Sequence, residues 1–388
     1  MSALLPGATL GIIGGGQLAR MMTLEARRMG YRVAVLADDP LAPAVSLADR
    51  WIRGRLDQAD AGEQLARVSD VVTVDTEHVP ASMLADLELI KPVRPSSSVL
   101  RTIQDRRVQR TFLDGVEAAQ PRWEPVISRE MLAAKTGLVG FPCVLKSSHA
   151  GYDGKGQAVI RSEADLDAAW ASMNGGPAIV EEFVHFDREV SVLLARTPQG
   201  EIRFYPLASN MHENHVLRTT VAPAPVGPEV ELDAFRVAGR IAHALDHVGM
   251  MAVEMYLVDG GSVLVNEIAP RPHNSGHYTF GACVTSQFEQ HVRAVLDLPL
   301  GDPSLPRPAA MVNLFGDLWR EGEPDWTQVL SQPEARLHLY GKAEARPGRK
   351  MGHVLVLDED PVLALQTGEA LLERLETGPE QIDRRRIA

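Results

Sequence analysis

The chain has little cysteine: two in 388 residues, Cys143 and Cys283, far apart in sequence. No C-x-x-C pair and no Cys/His metal spacing occurs, which excludes a zinc ribbon or a thioredoxin-like motif and makes a reduced, cytoplasmic protein the expectation. Long apolar runs are also missing. None approaches the ~18 to 20 residues that span a bilayer, so no membrane partner is expected. Residues 1–6 carry no basic stretch ahead of an apolar one, so a signal peptide is not expected either. Positive charge is scarce: 39 Lys+Arg against 51 Asp+Glu leaves a net −12. That balance argues against nucleic acid as the partner, yet it leaves room for a local basic pocket. Internal repeats and low-complexity tracts are absent. What is present, 45% hydrophobic and 23% charged residues, is ordinary globular composition.

At roughly 150 residues per domain the length suggests two or three domains. The first 100 residues read as βαβ units. Apolar runs at 9–13, 33–36 and 71–74 each end in a polar loop, with a helical pattern from Leu18 to Met29 stopped by Gly30. Pro92, Pro95 and Ser96-Ser97-Ser98 mark a boundary. Residues 101–300 read as an α+β unit, with strands near 143–146, 157–160, 178–182, 189–195 and 202–207 and helices near 163–173 and 229–247. A proline cluster at 299–308 leads into residues 301–388, where strands near 309–315, 335–341 and 352–357 precede a helix near 360–376.

Gly14-Gly15-Gly16-Gln17-Leu18-Ala19 fits G-x-G-x-x-[GA] between a strand and a helix, with Asp38-Asp39 after the next strand. That is the context of a dinucleotide site, but the same turn serves any anion at a helix N-terminus, or none. Further on, Lys146 ends an apolar strand, and a lysine so placed needs an anionic partner. Gly151-Tyr152-Asp153-Gly154-Lys155-Gly156-Gln157 follows; its glycines allow close approach to phosphate and a loop that opens and closes. The spacing is not that of a Walker A loop. Ala178–Val184 is an apolar strand turning acidic at Glu181-Glu182, which offers backbone groups to an adenine edge and a carboxylate to ribose. Glu254 and Asn266-Glu267 lie in apolar runs joined by the turn Asp259-Gly260-Gly261, so a hairpin sets both glutamates side by side. Two adjacent carboxylates repel unless a cation sits between them, and Mg²⁺ takes one or two carboxylates plus phosphate oxygens.

A strand-end lysine, a glycine-rich lid, an acidic strand and Glu/Asn-Glu on paired strands resemble the ATP-grasp superfamily. With Gly14–Leu18, Gly151–Gln157, Asn266–His277 and Arg346–His353, the whole chain resembles the N5-carboxyaminoimidazole ribonucleotide synthetase family. The segment Asn266–His277 is the most specific part. The resemblance implies an N-terminal Rossmann-like domain (1–100) for substrate, a central ATP-grasp domain (101–300) and a small β-rich C-terminal domain (301–388), in a homodimer. It also implies an ATP-dependent ligase that carboxylates 5-aminoimidazole ribonucleotide with bicarbonate, through carboxyphosphate, in purine biosynthesis. Another ATP-grasp ligase, such as the formate-dependent glycinamide ribonucleotide transformylase, is the alternative; a dehydrogenase and a non-catalytic nucleotide-binding module lie further off.

By that resemblance ATP touches Arg106, Lys146, Gly151, Tyr152, Asp153, Gly154, Lys155, Gly156, Gln157, Glu181, Glu182, Phe183, Val184, Glu189, His212, Asn266 and Glu267, with Mg²⁺ on Glu254 and Glu267. Arg271 and His273 are expected to hold bicarbonate or its phosphate, with Tyr152, Asp153 and Lys155 of the lid in the catalytic set. Gly15, Gly16, Gln17, Glu77, Asn274, Lys342 and Arg349 are expected to bind the ribonucleotide, the last two its 5′-phosphate. Ala19, Asp75 and Ser147–Ala150 depart from the family pattern without touching the phosphate or metal elements.

Overall fold

A computed structural model describes residues 3–149 and 156–385, with side chains to residue 377. The first unit runs β1 (Thr9–Ile13), α1 (Gln17–Arg28), β2 (Arg32–Ala37), β3 (Arg50–Arg53), α2 (Ala59–Val68), β4 (Val71–Val74) and α3 (Ala81–Glu88). Its four strands are parallel, in the order β3-β2-β1-β4, and the expected apolar runs are three of them, the central β2 and β1 and the edge strand β4. They are buried on both faces, as parallel strands under crossover helices must be. The short β3 was not visible in the sequence pattern, because Arg50 and Arg53 flank only two apolar residues.

The chain then passes through α4 (Ser97–Gln104) and α5 (Arg106–Gly115), the latter capped by Asp105, which accepts the Arg107 N–H at 2.9 Å. A small sheet follows, built from β5 (Trp123–Val126), β6 (Cys143–Ser147), β7 (Gln157–Ile160) and β8 (Ala178–Glu182), in the order β5-β8-β6-β7. Helices α6 (Arg129–Val139) and α7 (Leu166–Ser172) cover one face and close its core over Leu132, Leu145 and Val180.

The large sheet takes β9 (Arg188–Arg196), β10 (Ile202–Phe204), β11 (Ala208–Glu213) and β12 (Val216–Ala222). After α8 (Pro228–Ala244) it adds β13 (Gly249–Val258) and β14 (Ser262–Ala269). Two short helices, α9 (Thr279–Ala282) and α10 (Gln287–Val295), precede β15 (Ala309–Phe315), α11 (Thr327–Leu330), β16 (Ala335–Leu339), β17 (Lys350–Leu357) and α12 (Pro361–Arg385). The strand order is β14-β13-β9-β11-β12-β15-β17-β16, with β10 on β9. The C-terminal strands therefore extend the central sheet through β12–β15 pairing rather than forming a sheet of their own.

Helix α10 fastens the first unit to this sheet. Phe288, Val292 and Val295 are fully buried against Leu10, Met21 and Val33, each contributing about 1.5–3 kcal/mol by burial. His291 of the same helix accepts the Met250 N–H on Nδ1 at 3.0 Å, so Nε2 carries the hydrogen and reaches Thr73 Oγ1 at 2.8 Å. Burial pushes this imidazole down to about 3, so it stays neutral. Both described cysteines are free thiols. Among the described residues no helix is long and apolar enough to cross a membrane.

Candidate active site

Antiparallel pairing of β6 and β8 sets Lys146 opposite Ile179 and Glu181 opposite Val144, which leaves the two charged residues as diagonal neighbours on one face. Lys146 forms an ion pair with Glu181, and Arg110 of α5 meets the other carboxylate oxygen at 2.6 Å. Burial would raise the Glu181 carboxyl, but Arg110 and Lys146 hold it below the usual carboxylate range. Lys146 Nζ also lies 3.4 Å from Asn266 Oδ1, and Arg106 Nη1 donates to the Ser147 carbonyl at 2.9 Å. Four of the expected nucleotide residues, Arg106, Lys146, Glu181 and Asn266, thus share one neighbourhood. Arg110 was not foreseen: its spacing from Arg106 reads as a solvated helix face, and only the fold turns it inward.

Gly156 precedes β7 and Gln157 opens it, pairing with Lys146. Gly151, Tyr152, Asp153, Gly154 and Lys155 lie outside the described residues. The Glu182 carboxylate is taken by Arg122, whose N–H and Nε donate at 3.0 and 2.7 Å, so this position offers backbone rather than charge. Phe183 and Val184 follow in the connection to β9, where Phe186 stacks on Tyr256 at 4.8 Å between ring centres.

The β13–β14 hairpin sets Glu254 opposite Glu267, as the intervening turn predicted, with a register shift just after Glu254. His212 pairs with Glu189 beside them, and His273 Nδ1 lies 3.7 Å from Glu254. Burial pushes Glu254 up to about 7; Glu267 and Glu189 add to the rise, while His212 and Lys350 oppose it. Among the described residues no three or more His, Cys, Asp or Glu side chains gather as a metal cage. A hard cation that brings phosphate oxygens with it fits such a two-carboxylate site.

After β14 the chain turns through Arg271 to His277. Arg271 Nε donates to Glu77 at 2.5 Å and Nη1 to the Pro272 carbonyl at 3.1 Å. Burial would raise Glu77, but the guanidinium holds it at about 2. Glu77 thus grips Arg271 across the two units, a role its sequence position did not suggest. His273 Nδ1 accepts the Ser275 N–H at 3.3 Å and lies 2.9 Å from Ser275 Oγ, which leaves the ring hydrogen on Nε2. Burial, then Arg271 and Lys350, push this imidazole down to about 3. Asn274, expected to meet substrate, is instead buried in a reciprocal amide pair with Asn313 of β15 at 3.1 and 2.9 Å. Its side chain steadies the turn.

The glycine loop has its own anion. Gly16 N–H donates to Asp75 Oδ2 at 2.7 Å, at the start of α1 where no side chain of the helix caps it. Gly14 adopts φ +113°, and a Cβ there would lie 1.6 Å from Asp75 Oδ1. The carboxylate fills the place a dinucleotide phosphate would take, and Asp38-Asp39 stay exposed. Burial raises Asp75 to about 6, against the Gly16 and Ala19 N–H groups and Arg271, while Glu77 adds to the rise. A carboxyl raised in the folded state stabilises fully below its unfolded pKa and loses that contribution as pH climbs through the folded one. The stability difference between the wild type and Asp75→Asn, measured by urea unfolding, is therefore expected to shift by about 2 kcal/mol against the wild type between pH 4 and 7. A flat difference would show that Asp75 is solvated.

Across from α1 lies the basic loop before β17. Lys342 Nζ donates to the Lys350 carbonyl at 2.6 Å, Arg349 Nη1 to the Glu344 carbonyl at 2.7 Å, and Asp317 accepts the Gly348 N–H at 2.8 Å. A Cβ on Gly341 would lie 3.6 Å from Arg20 Nη1, so this loop meets the helix that Gly15, Gly16 and Gln17 open.

Fold and site together define an ATP-grasp ligase. Three family models match in sequence: a ribonucleotide synthetase preATP-grasp domain over residues 7–104, an ATP-grasp domain over 111–288 and a phosphoribosylaminoimidazole carboxylase C-terminal domain over 309–367. An N5-carboxyaminoimidazole ribonucleotide synthase of Brucella melitensis is 42% identical over 357 residues, 91% of this chain and 97% of that protein. An N5-carboxyaminoimidazole ribonucleotide synthetase solved as an ADP complex matches with TM-score 0.90 at 40% identity, over 95% of this chain and 97% of that one. The Aspergillus clavatus N5-carboxyaminoimidazole synthase, solved with ADP and 5-aminoimidazole ribonucleotide, gives TM-score 0.88 at 31% identity, covering 96% and 100%. The chain belongs to the N5-carboxyaminoimidazole ribonucleotide synthase family of ATP-dependent ligases.

Proposed function

We propose that this chain joins bicarbonate to the amine of 5-aminoimidazole ribonucleotide at the expense of ATP, giving N5-carboxyaminoimidazole ribonucleotide, ADP and phosphate. A bicarbonate oxygen attacks the γ-phosphorus and ADP leaves; the amine then attacks the carboxyphosphate carbon and phosphate leaves. The observation that carries this reading is the Arg271–His273 turn set directly beside the paired glutamates and facing the glycine loop.

Each group has a physical task. Arg106 and Lys146 bring positive charge to the ATP phosphates, and Glu181 keeps Lys146 aimed. The nucleotide site also draws on the lid loop, Gly156, Gln157, the backbone of Glu182 to Val184, Glu189, His212 and Asn266. Glu254 and Glu267 would hold Mg²⁺, and the elevated Glu254 is the state a divalent cation relieves. When bound, that ion neutralises phosphate oxygens as charge moves toward ADP. Arg271 is anchored through Nε, and among the described residues its Nη2 has no hydrogen-bond partner, which leaves it for a bicarbonate oxygen. Neutral His273 donates from Nε2 to a second oxygen. Carboxyphosphate is labile in water, so the reaction needs bulk solvent excluded, a task the family resemblance gives to the glycine-rich loop, with Lys155 in the catalytic set and Tyr152 and Asp153 as contacts for the amine. Gly15, Gly16, Gln17, Lys342 and Arg349 receive the ribonucleotide.

Release of ADP with 5-aminoimidazole ribonucleotide plus bicarbonate, compared with glycinamide ribonucleotide plus formate, tests the reading. ADP and a carboxylated product are expected only in the first mixture. Dependence on formate would overturn it.

A further inference from the structure

Gln287, the first residue of α10, is fully buried, and every hydrogen-bonding group of its amide is used. Oε1 accepts the His273 N–H at 3.0 Å, and Nε2 donates to the His273 carbonyl at 2.8 Å. The second Nε2 hydrogen goes to His277 Nδ1 at 3.1 Å. One side chain thus pairs with a peptide as a neighbouring strand would, and grips the turn again four residues later. Its own backbone N–H donates to Thr279 Oγ1 at 2.9 Å, so the amide cannot swing away without disturbing the helix start. Gly276 completes the clamp: a Cβ there would lie 2.4 Å from Gln287 Oε1.

We propose that Gln287 is a positioning residue for carboxylation, fixing Arg271 and His273 where they hold the carboxyphosphate until the amine attacks. Among the described residues its side chain meets none of the nucleotide elements, and it reaches the bicarbonate-holding turn only through the His273 peptide and the His277 ring. Its effect passes through the His273 peptide, at the turn held on its other side by the Asn274–Asn313 pair. The inference rests on the carboxylation reading above. A turn displaced by about 1 Å costs up to about a hundredfold in a step that depends on alignment. Nucleotide binding depends on other elements. When the amine is misaligned, water takes its place at carboxyphosphate and returns bicarbonate and phosphate, so ADP forms without product.

The test compares Gln287→Met, which keeps the volume and deletes all three bonds, with Gly276→Ala, which keeps the amide and displaces it. ADP and N5-carboxyaminoimidazole ribonucleotide are measured together in the full-length protein, along with KM for ATP and thermal melting. Both variants are expected to make product about 10- to 100-fold more slowly, with KM for ATP within about twofold and more than one ADP released per product. A one-to-one ratio at any rate overturns the proposal, because general loosening lowers ADP and product together. Should Gln287→Met not fold, Gly276→Ala carries the same measurement. Failure of the carboxylation reading shows separately, as a wild type that makes no product from 5-aminoimidazole ribonucleotide and bicarbonate.

Discussion

Glu267→Ala is expected to lose nearly all magnesium-dependent ADP formation, by about a thousandfold, while the fold stays as stable as the wild type or becomes more so. The first half follows from position. Glu267 stands opposite Glu254 on the β13–β14 hairpin, next to Asn266, which contacts Lys146. Removing it takes away one of the two carboxylates that would hold a cation–phosphate unit, and charge neutralisation of that kind contributes several kcal/mol to phosphoryl transfer. The second half follows from repulsion. Burial and the charges of Glu267 and Glu189 push Glu254 to about 7, so deleting Glu267 relieves a strained pair in the metal-free protein. Activity and stability should therefore move in opposite directions. Titrating ADP release against Mg²⁺ and recording metal-free melting curves checks both; activity within tenfold of wild type would remove Glu267 from the metal site.

Much of this site was legible because its chemistry interrupts apolar strands. Lys146, Glu181, Glu254 and Glu267 each stand out as a charge in or at the end of a run of Val, Ile, Leu or Ala, and turn residues between the last two announce their pairing. What stayed hidden depends on contacts between distant segments. Asp75 reaches the glycine loop only because β1 and β4 pair with Ile13 beside Val74. Glu77 grips Arg271 across two units, and Asn274 turns to Asn313 on a strand that a proline-rich stretch seemed to set apart. That last strand joins β12, so the C-terminal unit reads as separate in sequence but is one sheet with the core. Gln287 looks like any polar residue at a helix start. Its burial, not its type, gives it meaning.

Glu181→Gln is expected to destabilise the protein by about 3–5 kcal/mol, the cost of removing one partner from a buried ion cluster. The side chains of Arg110 and Glu181 are only 3% and 2% exposed, and that of Lys146 13%. Two cations would then face each other with a neutral amide between them, where water cannot screen them. Lys146→Met should cost less, because Glu181 keeps Arg110 at 2.6 Å, and Arg110 itself remains tied to the Val265 carbonyl at 3.0 Å. The double variant should be more stable than the sum of the singles implies, since the second change removes one of the stranded charges. Urea unfolding of all four proteins measures that coupling. Nucleotide supplies an independent reading. If ATP phosphates bind at Lys146, their charge replaces the missing carboxylate, and ATP should raise the melting temperature of Glu181→Gln more than that of the wild type. A Glu181→Gln protein as stable as the wild type, with an equal ATP shift, would show that the cluster neither holds the fold together nor readies Lys146 for phosphate.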